Sequence, residues 1–230
     1  MPERLGIWRT AGSNRKVKKV TVNDQNKSGQ SITVQYELAI GVPYTVVYNI
    51  LNNGSIQVTA DIDMTGRDLP ELPRFGMRMQ LPGQYNKLSY YGRGPWENYP
   101  DRKTASFVGL YEDSVSNQYM TNYIRPQESG NRTDVRWTKL SNAAGKGLLI
   151  TGVQPISVTA INHSAEDLDP GLTKKQQHPT DLPIRDEVYL MIDLKQRGLG
   201  GDNSWGMLPH EQYRLLDKKY SYSYILSLVD

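Results

Sequence analysis

From Ile56 to Met64 apolar and polar residues exchange places at every step: Ile56-Gln57-Val58-Thr59-Ala60-Asp61-Ile62-Asp63-Met64. A period of two turns successive side chains to opposite faces, one buried and one wet, which makes a β-strand and not a helix. Asn52-Asn53-Gly54 stands just before Ser55–Met64, and Asn-Gly supplies the positive φ angles that a tight hairpin needs. Similar runs of Val, Ile, Thr and Tyr, broken by polar turn residues, predict further strands. They cover 17–23, 31–40, 44–51, 74–81, 87–91, 104–111, 133–140, 147–152, 156–161, 187–194, 211–215 and 220–228. Together they make roughly thirteen strands. A short helical turn is expected between Pro2 and Gly12, and a hairpin loop at Asn142–Lys146. Ala165–Pro183, with three prolines and no periodicity, reads as a long surface loop with room for one helical turn. No composition shift, repeat or flexible linker divides the chain. The expectation is one all-β domain over residues 1–230, a large antiparallel β-sandwich.

Composition narrows the function classes. The chain has 27 basic and 24 acidic residues, a net charge of only +3, too weak a field to argue for nucleic acid or an anionic membrane as partner. Its one basic run, Arg15-Lys16-Val17-Lys18-Lys19, suits the charged start of an edge strand, where lysines discourage edge-to-edge pairing. Cysteine is absent, which excludes disulfides, thiolate chemistry and Cys-based metal sites. The three histidines, His163, His178 and His210, are widely spaced and show no metal-ligand pattern, so neither metal nor other cofactor is expected. No apolar run reaches membrane-spanning length, and Met1-Pro2-Glu3-Arg4 does not begin a secretory signal. Asn26-Lys27-Ser28, Asn53-Gly54-Ser55, Asn131-Arg132-Thr133 and Asn162-His163-Ser164 match the glycosylation pattern but mean nothing without a secretory context. Fifteen Tyr and four Trp against two Phe is a skew toward rings with a polar edge. Such rings suit surfaces that stack on sugars, and they suit strands equally well.

Two stretches are dense in special residues. Gly198-Leu199-Gly200-Gly201-Asp202-Asn203-Ser204-Trp205-Gly206 follows a predicted strand. Its glycines permit close approach, and Asp202, Asn203 and Ser204 can tie their side chains to local backbone. A connection so constrained either presents Trp205 as an aromatic platform or buries it in the local core. The second stretch is Tyr90-Tyr91-Gly92-Arg93-Gly94-Pro95-Trp96-Glu97-Asn98-Tyr99-Pro100-Asp101-Arg102-Lys103. Glycines and prolines fix an irregular path there, which Glu97, Asp101, Arg93 and Arg102 can cross-link by charge-assisted hydrogen bonds. A glycosidase needs two carboxylates about 5 to 10 Å apart. Candidates are Glu97 with Asp101, Glu166 with Asp167 and Asp169, and Asp186 with Glu187, though no neighbourhood plainly tunes any of them. No Gly-x-Ser-x-Gly elbow marks a nucleophile.

Gly92-Arg93-Gly94-Pro95-Trp96-Glu97-Asn98-Tyr99-Pro100-Asp101-Arg102 closely resembles the Gly-x-Gly-Pro-x-Glu-Asn-Tyr-x-Asp-Arg signature in the C-terminal domain of large bacterial β-galactosidases, glycoside hydrolase family 2. Gly198–Trp205 is similar to the Gly-x-Gly-Gly-Asp-x-Ser-Trp segment near that domain's end. Trp8 with Ala11-Gly12, and Arg74-Phe75-Gly76, also match in the family's order, so the resemblance covers almost the whole chain. It implies an antiparallel supersandwich of galactose mutarotase-like fold, which follows a catalytic (β/α)8 barrel carrying both catalytic glutamates. It implies that Trp205, with Asp202, Asn203 and Ser204, borders the substrate site and stacks on the group beyond galactose. Gly94, Glu97, Asn98, Tyr99, Asp101 and Arg102 form a structural motif. No catalytic residue is expected in this chain, which begins just before Trp8, past the Pro-Thr-Asp-Asn-Asp-like loop that opens the domain in relatives. The implied partners are galactosides or other sugars and the barrel of the same enzyme, and the arrangement is compatible with a homo-oligomer of the full enzyme. Two other functions stay open: a free-standing carbohydrate-binding module, and an aldose epimerase with a His acid and a carboxylate base facing one pocket.

Overall fold

The computed structural model describes residues 2–24, 29–169, 171, 176–203 and 205–229. Ser204 and the Asn26-Lys27-Ser28 triplet lie outside the described residues. After a short helix (α1, Pro2–Leu5) and a 3-10 turn, eleven strands account for nearly all regular structure among the described residues. They are β1 (Lys16–Asp24), β2 (Gln30–Glu37), β3 (Pro43–Ile50), β4 (Ile56–Asp63), β5 (Arg74–Leu81), β6 (Lys87–Gly94), β7 (Phe107–Ser114), β8 (Arg132–Ser141), β9 (Gly147–Ile161), β10 (Val188–Gln196) and β11 (Lys219–Val229). All pairings are antiparallel, in the order β1-β2-β3-β4-β11-β9-β8-β6-β7, with β10 joining β9 to β5. The all-β antiparallel class expected from the alternation is the class observed.

One ladder makes two layers because β9 changes partners along its length. Gly147–Gly152 lies between β11 and β8, whereas Ser157–Ile161 pairs with β10. Between them Pro155 cannot donate a ladder hydrogen bond, and the facing strand shifts register between Val135 and Trp137. The two strands predicted at 147–152 and 156–161 are therefore one bent strand.

The second layer, β5 with β10, packs against β3 and β11. Phe75 touches the rings of Tyr44, Tyr220 and Tyr222, while Tyr222 donates its hydroxyl to the Ile192 carbonyl at 2.7 Å. Burial pushes the phenols of Tyr44, Tyr222 and Tyr224 up, so they stay neutral. Tyr90, Tyr99, Tyr220, Tyr222 and Tyr224 are all buried. At these positions the tyrosine skew reflects core packing rather than a wet sugar surface. Fully buried aliphatics such as Leu140, Ile150, Leu190 and Ile192 each contribute about 1.5 to 3 kcal/mol through apolar burial.

Other expectations resolve element by element. The basic run starts β1, which is an edge strand and leaves Val17, Val20 and Val22 exposed. The hairpin before β4 closes through Leu51 N–H to Ser55 O, and that before β9 through Asn142 N–H to Lys146 O. Ala165–Pro183 carries a capped helical turn, α2 (Ala165–Leu168), and a 3-10 turn at Pro179–Asp181. The strand predicted at 211–215 is instead a 3-10 turn, Glu211–Tyr213, followed by a lone bridge from Leu215 to Leu72. That segment carries the chain back to the core: Tyr213 O accepts from Gly198 N–H, and only Leu215 is buried beside it.

Candidate functional site

At the end of β6 a Cβ on Gly94 would lie 2.3 Å from the Tyr90 hydroxyl and 2.8 Å from the Tyr111 ring, so any side chain there would have to displace both rings. The loop that follows is built around two buried polar residues. Asn98 donates through Nδ2 to the Arg93 and Trp96 carbonyls, each at 3.0 Å, and its Oδ1 accepts from Thr133 N–H at 2.9 Å and from the Thr133 hydroxyl. The Glu97 carboxylate takes Gly130 N–H at 2.7 Å, the Ser129 and Tyr123 hydroxyls, and the Arg102 guanidinium. Burial and the adjacent Glu97 push the Tyr123 phenol up to about 12. Burial alone would lower Arg102, but its hydrogen bond to Glu97 prevails and the guanidinium is raised. Arg102 also stacks on the ring of Tyr99, 4.7 Å from the centroid. Arg93 turns the other way, to Asp134.

Under this loop lies the Arg74-Phe75-Gly76 stretch. Arg74 joins Asp193 of β10, 3.1 Å away, to Glu128, 3.4 Å away. Burial pushes the Asp193 carboxyl up to about 7, with Arg74 opposing it.

Asp101 does not pair with Arg102. Its Oδ2 accepts the backbone N–H groups of Leu199 and Gly200, both at 2.8 Å, and so joins the two motif stretches. Gly198 is required by this contact, since a Cβ there would stand 2.8 Å from the Asp101 carboxyl carbon. Beyond it the loop is tied to itself. Asp202 Oδ1 lies 2.7 Å from Nε2 of His210, and Asn203 Oδ1 accepts Trp205 N–H at 2.9 Å. Those two side chains thus hold the loop's own frame. Trp205 is 93% exposed at the tip, so within this chain it is not a core residue. Leu199 and Met207 on the same loop, Trp96 on the loop after β6 and Ile124, next to Tyr123, are also exposed.

Three of the other acidic candidates are held by cations: Glu166 by Arg78, Asp167 by Arg185 and Asp169 by Arg9. Glu97 and Asp101 are likewise committed as described. Asp186 and Glu187 stand just before β10, the first exposed and the second half-buried. His163 is buried against Tyr119, ring centroids 4.1 Å apart, and burial lowers it. A cavity of about 230 Å³ opens between Arg4, Met64, Leu69, Glu71, Arg214 and Lys218, with no histidine in its lining. Sequence reading missed Glu71, Arg197, Arg214 and His210. Arg197 and Arg214 flank the glycine-rich loop in sequence, and that position was the one available signal. Glu71 stood between two prolines with nothing to mark it as buried.

A family model described as beta galactosidase small chain matches residues 2–226. The chain is 36% identical over 228 residues, 97% of its length, to a beta-galactosidase of Priestia megaterium. It is 35% identical over 216 residues (91% of the chain) to a beta-galactosidase of Halalkalibacterium halodurans, and 31% over 214 (90%) to beta-galactosidase BgaC of Bifidobacterium adolescentis. It spans about a fifth of the length of these curated relatives, 21%, 20% and 20% respectively. With two motif loops joined through Asp101 and a match running nearly end to end, the chain belongs to the beta galactosidase small chain family.

Proposed function

We propose that this chain forms the acceptor-side wall of a β-galactosidase active site and that the rest of the enzyme hydrolyses terminal β-D-galactosides. In this reading Trp205 stacks on the sugar or aglycone next to galactose, with Asp202, Asn203 and Ser204 as the polar edge of the site. The observation that carries it is the exposure of the Trp205 ring, 93%, on a loop whose backbone is fixed by Asp101 and Asn203. An apolar ring held in water on a rigid stem is a stacking surface in waiting. The catalytic glutamates then belong to the barrel, and Trp96, Ile124, Leu199 and Met207 form the apolar part of the face that packs on it. The isolated chain is expected to hydrolyse no galactoside. Steady turnover of a nitrophenyl galactoside by the chain alone, abolished by replacing one of its acids, would overturn this.

The same exposed ring also supports a second reading, a free-standing carbohydrate-binding module. Calorimetric titration of the isolated chain with lactose separates them: saturable binding that disappears in Trp205→Ala favours the module.

A further inference from the structure

We infer that Glu71 is the positioning residue of the Trp205 loop, gripping both ends of that loop through Arg197 and Arg214. This rests on the stacking role given to Trp205 above. Arg197 immediately precedes Gly198, where the loop leaves the end of β10, and Arg214 immediately follows Tyr213, where it returns. The two stems meet through Gly198 N–H to Tyr213 O at 2.7 Å. The Glu71 segment runs alongside them: Arg197 N–H donates to Pro73 O at 2.9 Å, and Leu72 N–H to Leu215 O at 3.3 Å.

Between the stems sits a side chain with no solvent exposure. Glu71 Oε2 accepts from Nε of Arg214 at 2.5 Å, and Oε1 stands 3.6 Å from Nη1 of Arg197. The Arg4 guanidinium lies farther out, 4.0 Å from Oε2. Both principal partners are themselves little exposed, 6% for Arg197 and 13% for Arg214. Two guanidiniums so close and so dry repel each other unless a carboxylate stands between them. Burial lowers Arg197, Glu71 is the main influence opposing it, and Arg214 adds to the lowering. The carboxylate arrives on a stiff mount, because Pro70 and Pro73 fix the backbone on either side. Asp101 holds the backbone one step further out, and Trp205 stands several residues beyond that. An angular error at the root is enlarged at the ring, and stacking tolerates little misplacement.

The test uses the full-length enzyme that carries this chain, with Glu71→Gln, Trp205→Ala and the double variant. Glu71→Gln keeps the volume and removes the charge. The readouts are hydrolysis of a nitrophenyl galactoside, the ratio of transfer to glucose over hydrolysis, melting temperature, and hydrogen exchange at Gly198–Gly200. We expect Glu71→Gln to raise exchange at these amides and to lower the transfer-to-hydrolysis ratio as far as Trp205→Ala does. The double variant should fall no further than Trp205→Ala alone. Equal loss of transfer and hydrolysis alongside a lower melting temperature would make Glu71 merely structural and overturn the proposal. Additive effects in the double variant, or an unchanged ratio with Glu71→Gln while Trp205→Ala lowers it, would also overturn it. If Trp205→Ala leaves the ratio unchanged, the stacking role itself fails, and unchanged exchange in Glu71→Gln would then refute the clamp separately. Should Glu71→Gln not fold, Arg214→Lys, which keeps the charge but loses the planar fork, takes its place with the same expected and refuting outcomes.

Discussion

Oδ2 of Asp101 accepts a 2.8 Å hydrogen bond from the backbone N–H of Gly200, although the two residues stand 99 positions apart in the chain. The contact makes one device of two stretches that look independent in sequence. The Glu97–Arg102 loop is the foundation, and the glycine-rich loop is mounted on it by a single carboxylate.

Asp101→Ala should therefore loosen the Trp205 loop more than it lowers global stability. It leaves the Leu199 and Gly200 N–H groups without their charged acceptor and removes a negative charge that favours the charged form of Arg197. Hydrogen bonds to a charged group are worth about 1.5 to 3 kcal/mol, and partial exposure places this case at the low end. Asp101→Asn retains one acceptor oxygen and should cost less. Thermal melts and hydrogen exchange of both variants check the order, and equal losses would contradict it.

Much of this was legible in the sequence, for identifiable reasons. Alternation at Ile56–Met64 announces a half-buried strand because the strand period is two, and β4 spans Ile56–Asp63. The bend in β9 was read as a break because Pro155 interrupts a pattern without revealing that the chain continues on new partners. The loop at 94–102 could be read as cross-linked, but the charges could not be assigned. Arg102 has Glu97 as its partner and Asp101 has a backbone 99 positions away, and spacing encodes neither choice. Buried carboxylates at the root of a loop, such as Glu71, are invisible until the fold places arginines around them.

Within the foundation loop, Glu97 should matter more than Arg102. Glu97→Ala leaves Gly130 N–H and the Ser129 and Tyr123 hydroxyls without their acceptor, a loss of about 2 to 4 kcal/mol. The Arg102 side chain is 44% exposed, so Arg102→Ala leaves Glu97 its other donors and should cost about 1 kcal/mol. Chemical denaturation of the two variants gives the comparison. A larger loss for Arg102→Ala would mean that its stacking on Tyr99 outweighs the carboxylate's hydrogen bonds.

The waist of the Trp205 loop should respond to pH. The hydrogen bond to Asp202 raises His210 above its ordinary value of 6.5. A base raised in the folded state contributes stability that is complete below its unfolded pKa and is lost as pH rises through the folded one. The Asp202–His210 closure should thus be full below about 6.5 and weaken above it. Hydrogen exchange at Asn203 and Trp205, corrected for its intrinsic pH dependence, should lose protection across that window. In His210→Gln the window should vanish. A wild-type loop equally protected at pH 6 and pH 9 would show that the loop's other contacts hold it closed without the Asp202–His210 pair.

The remaining prediction concerns the exposed ring itself. Trp205 is tied at its N–H by Asn203 and presents its indole to solvent in this chain. If that ring stacks on the acceptor in the full-length enzyme, Trp205→Ala removes an aromatic contact worth about 0.5 to 1.5 kcal/mol beyond its buried area. Acceptor binding should then weaken by up to about tenfold. Cleavage of the galactosidic bond should suffer less if, as proposed above, the groups that perform it belong to the barrel. Transfer to glucose should fall more than hydrolysis, since water needs no flat apolar surface to bind. Trp205→Phe keeps a ring and should recover part of the loss. The deciding measurement is the transfer-to-hydrolysis ratio across the three proteins, and identical ratios would show that the ring packs against the enzyme instead of its substrate.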